Sequence, residues 1–140
     1  EQIHFRRDYY YFREQYINLY LDPLTVNSKI ELKPIYFKQS TAIILEESFG
    51  ELDRLFLTLA KNPSMCIRIE GHTDNIGKQE DLQKLSQERA DAIKSFLVQK
   101  GVTADRISTV GQGPRYPLTD NSSDDLRSKN RRVEIVITRL

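Results

Sequence analysis

The residues with the most chemistry to offer stand in two places, the run Gly71-His72-Thr73-Asp74-Asn75 and the isolated Arg89. A carboxylate accepts bonds from an ammonium, and a guanidinium grips a carboxylate through two parallel N–H bonds. One of each in a shared cleft would bind both charged groups of a free amino-acid centre. The stretch Met65-Cys66-Ile67-Arg68-Ile69-Glu70 alternates apolar and polar residues as a half-buried strand does, with Met65, Ile67 and Ile69 toward a core and Arg68 and Glu70 toward water. Asp74 therefore falls in the loop leaving the carboxyl end of that strand, where open α/β sheets place their binding sites. Arg89 belongs to a helix expected from about Asp81 to Lys100, on the same stripe as Leu82, Leu85, Ile93, Phe96 and Leu97. A guanidinium on such a stripe is costly unless it is paired or reaches a cleft, and Asp74 is the expected partner.

The remaining candidates carry less. His72 with Asp74 is too small a set for a metal, and a histidine at a strand end more often satisfies a backbone hydrogen bond. Ser86 has no base near it in sequence. With no nucleophile–base pair and no metal set, neither catalysis nor a cofactor is expected. Asn130-Arg131-Arg132 has two readings: an Arg lining the same cleft to meet an anionic group, or edge-strand charges that deter aggregation. Gly111-Gln112-Gly113-Pro114 reads as a tight turn, because Pro and Tyr follow it where a phosphate loop would open a helix.

The elements that must position these residues follow from pattern. Lys29 to Phe37 reads as a strand through Ile30, Leu32, Ile35 and Phe37, with Pro34 implying an edge or a bulge. A helix from about Glu46 to Lys61 carries Phe49, Leu52, Leu55, Phe56 and Leu59 on one stripe, and Asn62-Pro63 stops it. After the second helix, ended by Gly101, come a short strand Ile107–Val110, a polar loop over 117–130, and a closing strand through Val133, Ile135 and Ile137. The expected fold is α/β, an α+β sandwich of βαβαββ type, with two main helices on one face of a mixed sheet of about four strands.

The 140 residues are enough for one domain with a modest core. With 21 basic and 20 acidic residues the formal net charge is +1, which gives no bulk attraction to nucleic acid or to a membrane surface. No apolar run approaches the roughly 20 residues of a spanning helix, so no direct membrane insertion is expected. Cys66 is the single cysteine, which excludes an internal disulfide. The chain opens on Glu1 without a signal peptide and reads as a mature fragment or an excised domain. Residues 1–34, with the aromatic run Tyr9-Tyr10-Tyr11-Phe12 and Tyr16 to Leu21, read as an N-terminal extension or the tail of a preceding domain, ahead of a domain at 35–140.

Taken together, Ile35-Tyr36-Phe37, Leu52 to Ala60, Ile69 to Gly77, Leu85-Ser86-Gln87-Glu88-Arg89-Ala90, Gly111-Gln112-Gly113 and Asn130 to Ile135 resemble the OmpA-like C-terminal domain. That family includes the peptidoglycan-associated lipoproteins and flagellar stator proteins. The wording Glu47 to Asp53 further resembles versions from Bacteroidetes-type bacteria, where the domain ends longer envelope chains. The resemblance implies non-catalytic binding of peptidoglycan through the meso-diaminopimelate of its stem peptide, in the periplasm of a Gram-negative bacterium. Such a domain anchors an outer-membrane protein, lipoprotein or secretion complex to the cell wall, with other envelope proteins as further partners. It implies Asp74 for the ligand ammonium, Arg89 for its carboxylate, Thr73 and Asn75 flanking, Arg131 on another acidic or carbonyl group, and Leu82 and Leu85 in the same cleft. The chain departs from the family at Leu82, where Asn is usual, and at Lys38-Gln39, where Asp is common. These departures imply the alternative, an assembly domain with weakened or lost wall binding.

Overall fold

The computed structural model describes residues 24–140. The aromatic run over residues 9–21 lies outside the described residues. Four strands, β1 (Lys29–Ile30), β2 (Cys66–His72), β3 (Ile107–Gly113) and β4 (Arg132–Arg139), form one sheet in the order β1-β4-β2-β3. β2 runs parallel to β3, while β4 is antiparallel to both β1 and β2. Three helices accompany them: α1 (Phe49–Lys61), α2 (Gln79–Lys100) and the short α3 (Asp124–Asn130). The mixed four-stranded sheet with two main helices is the fold that the pattern predicts.

The core forms where the apolar alternation of the strands meets the helix stripes. Ile67 and Ile69 of β2, Ile107 of β3, and Ile135 and Ile137 of β4 are buried with Leu52, Leu55 and Leu59 of α1 and with Ile93 and Leu97 of α2. Burying each such side chain is worth about 1.5–3 kcal/mol, so this seam is the main source of stability. Arg106 staples its far end. Its Nε donates to the Met65 carbonyl at 3.0 Å and its Nη2 to Leu59 and Asn62 at 2.8 and 2.7 Å, which satisfies carbonyls where α1 ends.

Two glycines let α2 lie close on the sheet. A Cβ on Gly71 would stand 2.2 Å from the Ser86 carbonyl oxygen, and one on Gly111 would stand 2.5 Å from the Gln87 nitrogen. Ser86 and Gln83 close that contact: Ser86 Oγ accepts from Gly113 N–H, and Gln83 Nε2 donates to the Gly111 carbonyl. Gly111-Gln112-Gly113 is therefore the end of a strand and not a turn, because pairing with β2 continues through Gly113. Similarly, β2 runs on through Gly71 and His72, so the loop begins only at Thr73.

Three other expectations change. The strand expected over Lys29–Phe37 shrinks to Lys29–Ile30, since beyond it the chain leaves the sheet and only an isolated bridge joins Phe37 to Ile44. That departure is fixed by α1: Tyr36 N–H donates to Ser48 Oγ and Lys33 N–H to Glu51 Oε1. The polar loop over 117–130 contains α3, capped by Ser123 Oγ accepting from Leu126 N–H. Finally, Arg68 and Glu70 are not free solvent groups; they pair with one another at 2.7 Å on the face opposite the helices.

Candidate functional site

The cleft arises from the register of β4 against β2. Because the two strands are antiparallel, the start of β4 lies beside the end of β2, with Arg132 opposite His72. Asp74, two residues past His72, thus meets Arg131, one residue ahead of Arg132. Arg131 Nη1 binds Asp74 Oδ2 at 2.7 Å, a charge-assisted bond at the short end of its range. The other carboxylate oxygen, Oδ1, accepts from Ile76 N–H at 2.9 Å in an Asx turn that fixes the acid's rotamer. Thr73 is buried beside it, its N–H donating to Gly113 O and its hydroxyl to Asp74 O.

Arg89 enters the same cleft from α2. Its Nε donates to the Thr41 carbonyl at 2.9 Å, and its guanidinium carbon sits 4.9 Å from the centre of the Phe37 ring, within cation–π range. The segment 37–44, closed by the bridge between Phe37 and Ile44, supplies both contacts. Burial lowers the Arg89 pKa below the usual guanidinium value, the charge of Arg131 lowers it further, and Asp74 opposes both. Two guanidiniums thus share one hollow, which favours an anion between them.

The pairing expected of Arg89 and Asp74 is corrected here. They line one cleft of about 630 Å³, but Asp74 bonds Arg131 and Arg89 bonds Thr41. The strand register brings Arg131 to the acid, whereas Arg89 is drawn to a carbonyl of a turn that no residue pattern places beside it. Leu82 and Leu85 line the cleft with them, as do Tyr36 and Gln39. The α2 stripe therefore divides: Leu82, Leu85 and Arg89 serve the cleft, and Ile93 and Leu97 serve the core. Asn75 is exposed and is not among the cleft-lining residues, because the Asx turn presents Ile76 in its place.

Of the two readings of the Asn130-Arg131-Arg132 cluster, edge-strand protection does not hold, since β4 lies between β1 and β2. Asn130, named in that cluster but whose own role was missed, is a buried pin. Its Oδ1 accepts from Leu118 N–H and Thr119 N–H, and its Nδ2 donates to Thr119 O and Asn121 Oδ1. That full set fixes the chain immediately before Arg131. Asp124, also missed, stands 3.5 Å from Arg131 Nη2.

His72 does not satisfy the expected backbone bond. Both ring nitrogens are buried without a hydrogen-bond partner among the described residues, and Nε2 lies 3.7 Å from Glu70 Oε1 and 3.5 Å from Glu134 Oε2. Burial and then Arg132 push its pKa below 6.5, against the pull of Glu134 and Glu70. Glu70, His72 and Glu134 bring ligand atoms within 4.8 Å of one another. A cation would find little unused charge there. Arg68 holds Glu70 Oε2, Arg132 holds Glu134 Oε1 and Lys29 holds Glu134 Oε2, so three of the four oxygens are already neutralised.

Comparison with known proteins now fits this geometry. Residues 36–131 match the OmpA family, and the chain belongs to it. It is 38% identical over 112 residues to outer membrane porin F of Pseudomonas fluorescens, covering 80% of this chain and 34% of that protein. It is likewise 38% identical over 104 residues to the peptidoglycan-binding protein ArfA of Mycobacterium tuberculosis, covering 74% of this chain and 32% of that one. Among solved structures, the peptidoglycan-associated lipoprotein of Burkholderia pseudomallei superposes with a TM-score of 0.70 at 26% identity, covering 76% of this chain and 91% of that chain. The chain spans about a third of the two curated relatives described. No helix among the described residues is long and apolar enough to cross a membrane.

Proposed function

We propose that this domain binds peptidoglycan without catalysis, through the zwitterionic amino-acid centre of diaminopimelate in the stem peptide. The observation that carries the reading is the meeting of Asp74 with two guanidiniums, Arg89 and Arg131, in one cleft. An ammonium has its acceptor in Asp74 and a carboxylate its fork in Arg89. The names of the relatives ArfA and the Burkholderia lipoprotein support peptidoglycan as the polymer. A binding role also suits the other polar groups: Ser86 Oγ is engaged by Gln83 O and Gly113 N–H, and His72 faces Glu70 and Glu134. In this reading residues 35–140 are the binding domain, 1–34 lead into it, and the parent protein is tethered to the cell wall of a Gram-negative periplasm, alone or within a secretion complex.

Pull-down with purified sacculi tests it. Wild-type protein is expected in the pellet, with Asp74→Ala and Arg89→Ala left in solution; equal retention of all three rejects the reading. Leu82 in the cleft wall favours a second reading, an assembly domain with weakened wall binding. That version requires no heat on titration with a diaminopimelate-containing muropeptide, and saturable binding excludes it.

A further inference from the structure

Asp74, the acid assigned to the ligand amine, has both carboxylate oxygens already engaged in this structure. Oδ1 is held by Ile76 N–H and Oδ2 by Arg131 Nη1. Arg89 is placed differently. Among the described residues its hydrogen bonding runs through Nε to the Thr41 carbonyl, with the Phe37 ring against the guanidinium. An amine arriving alone would have to share Asp74 with Arg131 and stand as a third cation beside Arg131 and Arg89. A carboxylate arriving at Arg89 meets no such obstacle, and it offers Arg131 a replacement.

We infer that ligand capture is an ion-pair exchange in which Arg131 leaves Asp74 for the ligand carboxylate, and the ligand amine takes its place on Asp74. This deepens the preceding reading and rests on it. Arg131 is thereby a specificity-determining residue: it closes the acid to ligands that carry an amine but no nearby carboxylate. The side chain is suited to the movement. It is 37% exposed, it leaves the chain just after the pinned Asn130, and its Nη2 already lies 3.5 Å from Asp124, whose own side chain is 78% exposed. Asp124 gives Arg131 a second anion while Asp74 changes partner. The exchange keeps every buried charge paired at its end, the condition under which buried charges are tolerated.

The test uses two muropeptides that differ only in whether the side-chain carboxylate of diaminopimelate is free or amidated, titrated calorimetrically into wild type, Arg131→Gln and Arg131→Met. Wild type is expected to bind the free acid at least about tenfold more tightly than the amide, the order of one lost charge-assisted bond. Both variants are expected to gain severalfold for the amide, because Asp74 is now open, while losing affinity for the free acid. Arg131 variants that bind the amide no better than wild type overturn the exchange and leave Arg131 a simple contact. Failure of wild type to bind the free acid overturns the diaminopimelate reading, and the exchange with it. Unchanged thermal midpoints of the variants certify that folding is not what is being read.

Discussion

At the scale of single residues, the charges of this domain are arranged in two unlike groups on either side of the end of β2. On the cleft side, Asp74 and Asp124 both face Arg131, and Arg89, bonded to a carbonyl, leaves a demand for an anion. On the other side, Glu70 and Glu134 are matched by Arg68, Arg132 and Lys29 around a neutral His72. That second group sets a pH dependence of stability. His72 has its folded pKa below 6.5, so between that lowered value and 6.5 the unfolded chain binds more protons, and stability falls as pH falls. Burial opposes the charge of Glu134, but its hydrogen bonds to Arg132 and Lys29 outweigh burial and hold the carboxyl below 4.5; its contribution is lost at still lower pH. Urea midpoints should drop from about pH 7.5 to about pH 5.5, and His72→Phe, which keeps the ring and removes the titration, should flatten that drop. An unchanged slope in the variant would show that the loss originates elsewhere. Asp74 and Arg89 were readable as cleft residues because charge on a helix stripe and a loop acid are local signals, whereas Thr73 and Arg131 came through the family resemblance. The partner assignments were not legible: Arg131 is 57 positions from Asp74, and only the strand register joins them.

At the scale of elements, the contact of α2 with β2 and β3 decides whether the cleft exists. Gly71 and Gly111 carry that contact, and the obstacle to a side chain at either is helix backbone, which cannot rotate aside. Gly71→Ala and Gly111→Ala should each cost about 1–3 kcal/mol, the range of overpacking in a tight interior. Gly50→Ala is the control: nothing lies within 4 Å of its added carbon, and replacing Gly in a helix should gain up to about 1 kcal/mol. Chemical denaturation of the three variants measures both signs; a neutral Gly71→Ala would mean that α2 stands off the sheet. The helices and the buried strands were readable from periodicity, since their apolar stripes are the core. The segment after Ile30 was not, because its course is dictated by Ser48 and Glu51 of a later element. α3 was hidden for a similar reason: it has seven residues and little apolar stripe, and Asn130 holds it through four bonds that no pattern announces.

At the scale of the whole molecule, a net charge of +1 means that no long-range field draws the domain to an anionic polymer. Attachment in the proposed function rests on a few short-range ion pairs in a half-open cleft. Retention on sacculi should therefore weaken steadily from about 0.1 M to about 1 M NaCl, over which the screening length falls from about 10 Å to about 3 Å. Retention that ignores salt would point to apolar attachment through surfaces outside the cleft, where Leu118, Tyr116 and Ile43 are the most exposed large hydrophobic side chains of the described residues.

The position of β4 has a consequence for how the molecule comes into being. It is the last strand of the described residues, yet it occupies an inner place, with β1 on one side and β2 on the other. A nascent polypeptide that has not yet released Arg132–Arg139 has a gap in the middle of its sheet and an Asp74 still waiting for Arg131. In the proposed function, competence for the ligand thus depends on a strand far from the cleft acid in sequence, and a copy clipped ahead of Arg131 would lose the centre of its sheet and the partner of Asp74 together.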